Sequence, residues 1–169
     1  SYPFRATGDL SAAYDENDSL VVTFYAAQWV PLVGVSTVQG AIYFWSKQWG
    51  LKEVFNATIA DFDVTRLTET FAATNPQIGI YKGAHPDSVG DYYIIWTAGG
   101  GPSDTTENRG PLEGFWNYDI YCSGSTNNGF SWSSVTNITD SHSPACSLGK
   151  CVNNDTYASL ARTINDTLH

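Results

Sequence analysis

The octapeptide Ser125-Thr126-Asn127-Asn128-Gly129-Phe130-Ser131-Trp132 follows an alternating run of residues at 116–121. Asn127 and Asn128 can hydrogen-bond to their own backbone, and Gly129 can adopt a positive φ angle without a steric penalty. Trp132 can cover the turn from the strand that follows. The segment therefore predicts a tight turn between two β-strands, and an ordinary β-hairpin is one structure that would contain it.

This octapeptide also resembles the Asp-box of sialidase-like β-propellers, whose pattern is S-x-D/N-x-G-x-S/T-W. An acceptable residue stands at each fixed position: Ser125, Asn127, Gly129, Ser131 and Trp132. In that family the box is a turn between outer strands of one four-stranded antiparallel blade, away from the active site. The resemblance implies an all-β fold of sialidase-like propeller blades. An immunoglobulin-like or jelly-roll β-sandwich is the alternative, because short strands with Gly and Asn turns build those folds too.

The catalytic set of sialidase-like enzymes is not recognisable in the chain. Such enzymes hold the substrate carboxylate with three arginines, use a Tyr/Glu nucleophile pair and an Asp acid/base, and begin with an Arg-Ile-Pro motif. Here Arg5 is followed by Ala6 and Thr7, and the whole chain has four arginines. We therefore assign no catalytic residue. The sequence favours a protein that is not an enzyme but leaves the question open.

Composition excludes some classes of partner. The 169 residues carry 8 basic and 17 acidic side chains, giving a net charge of −9, so we expect no nucleic acid partner. No apolar window is long enough to predict a membrane-spanning helix. Methionine is absent, so we expect the chain to begin after processing or to be a segment of a longer polypeptide.

Asn-x-Ser/Thr acceptors for N-linked glycans are unusually frequent. There are five of them, at Asn17, Asn56, Asn137, Asn154 and Asn165. They predict an extracellular glycoprotein, either secreted or at the cell surface. The three cysteines agree with an oxidising compartment, because the four residues between Cys146 and Cys151 include a glycine and could form a small disulfide-closed loop. Cys122 would then be left over; pairing of Cys122 with one of the other two, or a buried free thiol, is the alternative.

Internal repetition suggests how the chain is divided. Three pairs of segments occur in the same order: 20–26 with 92–98, 41–43 with 119–121, and 54–58 with 135–139. The first pair consists of β-branched and aromatic runs, which predict strands buried on both faces. Repeated units of strands and turns are typical of propellers and β-arrays. We predict a first β repeat at 1–74, a second with the Asp-box at 75–145, and the start of a third at 146–169.

Two blades and a fragment cannot close into a propeller, which needs about four to eight blades. Open blades expose a hydrophobic face and an unpaired edge, so we expect further copies or further domains to cover them. The leading functional interpretation is a secreted structural or adhesive protein that assembles, for example as a filament or a surface array. The alternative is a fragment of a sialidase-like carbohydrate-active enzyme or a carbohydrate-binding module.

Few side chains suggest a ligand. Trp49 and Trp116, which lie beside predicted turns, are candidate sugar-stacking residues, although packing in the core is the simpler role for any Trp. The oxygen-rich turns 15–18 and 140–142 could hold Ca²⁺, but neither completes a calcium-binding loop, so no cofactor is expected. The three histidines have no spacing suited to zinc, and no metal site is assigned.

Overall fold

The computed structural model describes residues 4–30, 35–57, 73–82, 91–99, 118–141 and 155–164, without the side chains of 28–30 and 35–39. Over these residues the chain forms two β-sheets and no α-helix, which confirms the predicted all-β class. Within the same residues no helix is long and apolar enough to span a membrane.

In the described part of the chain, nine strands make up the two sheets. Sheet A contains β1 (Phe4–Tyr14), β2 (Leu20–Val30), β3 (Val35–Ser46) and β4 (Gly50–Asn56), and neighbouring strands are antiparallel. Sheet B contains β5 (Ala73–Tyr81), β6 (Tyr92–Gly99), β7 (Tyr118–Ser125), β8 (Thr136–Asn137) and β9 (Thr163–Ile164). Its spatial order is β8-β7-β6-β5-β9, and only the pairing of β9 with β5 is parallel.

The hydrophobic core lies between the inner faces of the two sheets. Trp96, which is only 1% exposed, is its largest fully buried side chain. The ring of Trp96 packs against Phe55 of sheet A with centroids 5.0 Å apart, and Phe44 of sheet A packs against Tyr92 of sheet B at 5.4 Å. Large aromatic rings of both sheets therefore hold them together.

Side-chain alternation differs between the two runs that were predicted to be buried on both faces. In β6 every residue except Tyr93 is buried, so the prediction is correct there. In β2, Val21 and Thr23 are buried against sheet B, whereas Val22 and Phe24 point the other way and are only half-buried. Ala26 on this same face is buried, so the prediction is wrong only for the first part of β2, over which the described residues place no covering layer.

Segments that align in the sequence occupy equivalent strands. β2 and β6 are the second strands of their antiparallel meanders, and β3 and β7 are the third. Phe24 and Tyr43 are register partners in sheet A, and their sequence equivalents Trp96 and Tyr121 are register partners in sheet B. The equivalent pairs face opposite ways relative to the core, since the pair in sheet B is buried inside it. The two sheets are thus stacked front to back.

The two sheets also meet where β1 passes β5. Asp9 Oδ2 accepts a hydrogen bond from Thr74 Oγ1 at 2.5 Å and another from the Asn75 backbone N–H at 3.2 Å. Ser11 Oγ accepts a hydrogen bond from the Ile78 N–H at 3.3 Å. Asp9 lies within the irregular part of β1, between Gly8 and Leu10, whereas Ser11 is in regular register with Thr23 of β2.

Candidate functional site

The octapeptide folds into a turn that is closed by its own side chains. Ser125 Oγ accepts a hydrogen bond from the Gly129 N–H at 2.8 Å and donates one to Asn127 Oδ1 at 3.0 Å. Asn127 Oδ1 also accepts from the Ser131 N–H at 2.9 Å, and Asn127 Nδ2 donates to Ser131 Oγ at 2.7 Å. Each polar position of the motif therefore bonds to another position of the same turn.

The turn is also packed onto sheet A. Gly129 has φ +84°, and a Cβ atom there would lie 2.3 Å from Cε1 of Phe44. Trp132 contacts the same Phe44 ring, with centroids 5.2 Å apart. Phe130 packs against Trp49 at 4.9 Å, and Trp49 lies in the turn between β3 and β4. The turn residues therefore fasten sheet B to sheet A, which is a structural role.

One of the two tryptophans predicted to stack on sugars, Trp49, lies within the described residues. Trp49 is half-buried, and one edge-to-face partner, Phe130, already occupies part of its ring. Its backbone N–H donates to Ser46 Oγ at 3.2 Å. Trp116 lies outside the described residues.

Three of the five glycan acceptors lie within the described residues. Asn17 is exposed in the turn between β1 and β2, where Asp15 Oδ1 accepts from the N–H groups of Asn17 and Ser19, each at 2.8 Å. Asn56 and Asn137 are half-buried. Asn154, Asn165 and the predicted Cys146–Cys151 pair lie outside the described residues. Cys122 is a free, half-buried thiol, and desolvation raises its pKa.

We expect Asn17 to be glycosylated when the chain is expressed in a eukaryotic secretion host, because the residue is exposed in a surface turn. Asn17→Gln should remove one glycan mass and change the unfolding free energy by less than about 0.5 kcal/mol, as is usual for exposed positions. Intact-mass spectrometry of the two proteins from the same eukaryotic secretion host measures this. Masses that differ only by the methylene group that Gln adds would show that the site is unoccupied.

Asp119 is the most heavily hydrogen-bonded acidic side chain among the described residues. It is fully buried at the end of the core, beside Ala98. Its Oδ2 accepts from Asn137 Nδ2 at 2.9 Å, and its Oδ1 accepts from Thr139 Oγ1, the Ser141 N–H and Ser141 Oγ at 2.8 to 3.0 Å. Burial, the largest single influence, would raise the pKa of Asp119, but these hydrogen bonds together lower it. The side chain is held as a carboxylate.

The same network reaches the C-terminal segment. Ser141 Oγ lies 2.7 Å from Asp155 Oδ2, and the Asp155 N–H donates to the Tyr118 carbonyl at 2.7 Å. Ser141 of the oxygen-rich turn 140–142 thus donates hydrogen bonds to the Asp119 carboxylate. In the described part of the chain, no group of three or more His, Cys, Asp or Glu side chains could hold a metal ion.

The sequence led us to expect an exposed hydrophobic face but did not assign its residues; in the described part of the chain, such a face is the outer face of sheet A. We use this name for the outward-pointing residues of β1 to β4, which are mostly apolar: Leu10, Tyr14, Leu20, Val22, Phe24, Tyr43, Trp45 and Leu51. Leu10 and Leu51 are 68% and 56% exposed, and the indole of Trp45 is 38% exposed. Phe24 stacks on Tyr43 with centroids 5.9 Å apart.

A groove of about 490 Å³ runs over this face. The groove is lined by residues of β1, β2 and β3: Ala6, Gly8, Asp9, Leu10, Val22, Phe24 and Trp45. Exposed apolar patches of this kind mark interaction surfaces in soluble proteins. The alternation of β2 was hidden in the sequence, because its outward positions are as apolar as its inward ones.

Comparisons with known proteins found no match: no family model, no curated protein and no solved structure is similar to this chain.

Proposed function

We propose that this chain is a secreted, N-glycosylated structural or adhesive protein that self-associates through the outer face of sheet A, with a second copy of the chain as the partner. One observation carries the proposal. Phe24 and Tyr43 lie on the outer face, whereas their sequence equivalents Trp96 and Tyr121 are buried by the other sheet.

The equivalence of these two aromatic pairs suggests that the outer face of sheet A contacts a protein partner rather than solvent. Sheet B needs a layer over its aromatic pair, and sheet A supplies it. The corresponding pair in sheet A has the same chemistry and is flanked by exposed Leu10 and Leu51. Burying a large apolar side chain contributes about 1.5 to 3 kcal/mol, so an uncovered face of this composition favours association.

The finer architecture supports the same proposal. Two antiparallel four-stranded meanders stacked front to back are arranged as consecutive propeller blades would be. In such a stack each blade covers the next, and the first blade keeps one face open. A second copy is the partner to which we commit, because front-to-back contacts that do not close produce extended assemblies.

Charge sets the conditions under which association should occur. With a net charge of −9, copies repel one another at low ionic strength. The outer face itself carries few charges among the described residues, with Glu53 at its β4 edge and Asp9 beside the groove at its β1 edge. Association should therefore strengthen as salt screens the repulsion, which is opposite to the behaviour of an interface held by ion pairs. The five glycan acceptors support an extracellular setting for such an assembly.

The test is a double substitution on the β3–β4 side of the face, Trp45→Ser with Leu51→Ser, which are register partners. We expect it to weaken self-association by about 3 kcal/mol, or roughly 100-fold, because two apolar side chains leave the interface. Analytical ultracentrifugation across protein and salt concentrations measures the change, and electron microscopy shows the form of the assemblies.

A matched control is Ile138→Ser, since Ile138 is 54% exposed but lies beside β8 on sheet B. It should leave association unchanged and preserve the glycan acceptor at Asn137. A wild-type chain that stays monomeric at every salt concentration would disprove self-association. Equal effects of the control and the double variant would place the contact elsewhere.

A further inference from the structure

A second, polar cleft lies where the two sheets meet; it shares Asp9 and Leu10 with the groove on the outer face of sheet A but also includes residues of β5 and Tyr157. It has a volume of about 250 Å³ and lies between the irregular part of β1 and the first half of β5, beside Tyr157. Its polar wall contains Asp9, Ser11, Asn75 and Gln77. Three separate segments of the chain thus contribute to one depression.

Backbone irregularities point side chains into this cleft. The pairing of β1 with β2 shifts register on both sides of Gly8, and the second shift, between Gly8 and Leu10, spans Asp9. The pairing of β5 with β6 shifts between Thr74 and Gln77, around Asn75. Asp9, Asn75 and Tyr157 have positive φ angles of 40°, 52° and 58°. Asp and Asn tolerate that region, whereas Tyr adopts it rarely. Bulges and unusual φ angles are concentrated at binding sites, so their convergence here indicates one.

The segment that carries Tyr157 is fixed on both sides of it. The Asp155 N–H donates to the Tyr118 carbonyl at 2.7 Å, and the Leu160 N–H donates to Gln77 Oε1 at 2.9 Å. Even so, the Tyr157 side chain is 81% exposed. A fixed backbone therefore presents an aromatic ring to solvent on the rim of a polar cleft, at a conformational cost that core packing does not explain.

We propose that this cleft binds a neutral saccharide. The ring of Tyr157 offers a flat apolar surface for the C–H face of a pyranose, with a polar hydroxyl at its tip. Asp9 supplies a carboxylate acceptor, and the side-chain amides of Asn75 and Gln77 supply donors and acceptors for neighbouring hydroxyl groups. A few placed polar groups beside an aromatic wall are the usual composition of a small-molecule site.

Charge and size restrict the ligand further. Asp9 at the site and the net charge of −9 disfavour phosphorylated, sulfated or carboxylated sugars. A cleft of about 250 Å³ admits one or two monosaccharide units and leaves the rest of a chain in solvent. The sugar could belong to a free polysaccharide or to an N-linked glycan on a neighbouring copy, since both present neutral hexoses.

The experiment is a titration of the glycosylated chain with methyl glycosides of glucose, galactose, mannose and N-acetylglucosamine, followed by NMR or calorimetry. Concentrations up to about 30 mM detect a Kd near 1 mM. At least one neutral probe should bind, and galacturonic acid should not. Tyr157→Ala should weaken binding about tenfold, and Tyr157→Phe should retain most of it, because the stacking surface is kept.

Tyr14→Ala is the matched control, because Tyr14 is 66% exposed but lies on the outer face of sheet A. It should leave saccharide binding unchanged. Both Tyr variants should fold, since neither ring is buried. Failure of every neutral probe to bind, or equal binding by wild type and Tyr157→Ala, would overturn the proposal.

The same titration distinguishes the two sources of the sugar. If the binding probe also dissociates self-associated chains, and enzymatic deglycosylation does the same, the ligand is a neighbour's glycan. If the probe binds and the association state does not change, the ligand is an external saccharide. Saccharide binding does not depend on the outer face, so it can be present even where self-association through sheet A is disproved.

Discussion

Asp119→Asn should lower the free energy of unfolding by about 3 kcal/mol. The carboxylate accepts four hydrogen bonds inside the protein, and hydrogen bonds to a charged group contribute about 1.5 to 3 kcal/mol each. An amide keeps one acceptor oxygen but turns an N–H group toward one of the donors, so at least one buried donor loses its partner. Urea denaturation at pH 7 measures the difference.

The pH dependence gives this prediction a second readout. The folded-state pKa of Asp119 is lowered relative to its unfolded value, which is near 3.9 for Asp. Its contribution to stability is therefore fully present above the unfolded pKa and is lost as the pH falls through the folded pKa. The wild-type protein should lose stability over that acidic window more steeply than Asp119→Asn.

Asp18→Asn is the control for this pair of measurements. Asp18 is exposed, and its φ of 54° is one that Asn adopts readily. Its substitution should change stability by less than about 0.5 kcal/mol and leave the acid limb almost unaltered. If wild type and Asp119→Asn lost stability equally as the pH falls, the Asp119 carboxylate would not be held in its charged form.

Gly129→Ala should lower the free energy of unfolding by about 3 kcal/mol through two separate effects. A positive φ of 84° disfavours any residue with a Cβ by roughly 1 kcal/mol. The new Cβ would also lie 2.3 Å from Cε1 of Phe44, which is fully buried and cannot move aside without displacing the core. Overpacking of this kind costs about 1 to 3 kcal/mol.

Gly50→Ala separates the two effects. Gly50 has φ +66°, but a Cβ there has no atom within 4 Å. Gly50→Ala should lower the free energy of unfolding by the conformational part alone, about 1 kcal/mol. Thermal or urea denaturation of both variants gives the comparison. Equal costs would mean that the Phe44 ring relaxes freely and that the turn is not tightly packed against sheet A.

Some parts of the structure could be predicted from local sequence. Strands followed from β-branched and aromatic runs, and a turn at the octapeptide followed from Asn and Gly next to each other. The side-chain network around Ser125 and Asn127 needs only residues close in the chain, so a motif can encode it. The alignment of 20–26 with 92–98 similarly reflects strands that lie in equivalent places.

Other parts depend on contacts between distant residues. Asp119 differs from other acidic residues only because Asn137, Thr139 and Ser141 converge on it from beyond the turn. The polar cleft joins Asp9, Asn75 and Tyr157, which no sequence period relates. An exposed hydrophobic face was expected, but it could not be placed on β2, because the outward Val22 and Phe24 are as apolar as the inward residues and suggested burial on both sides.

The edges of the two sheets determine how copies can join. Sheet B is bordered by β8 and β9, which have two residues each, and short edges offer few backbone groups for an added strand. Sheet A is bordered by β1, which its register shifts distort, and by β4, which carries Lys52 and Glu53. Irregular and charged edges resist backbone pairing between molecules. Strand-to-strand pairing between copies is therefore disfavoured. The protein can expose an apolar face without forming amyloid fibrils.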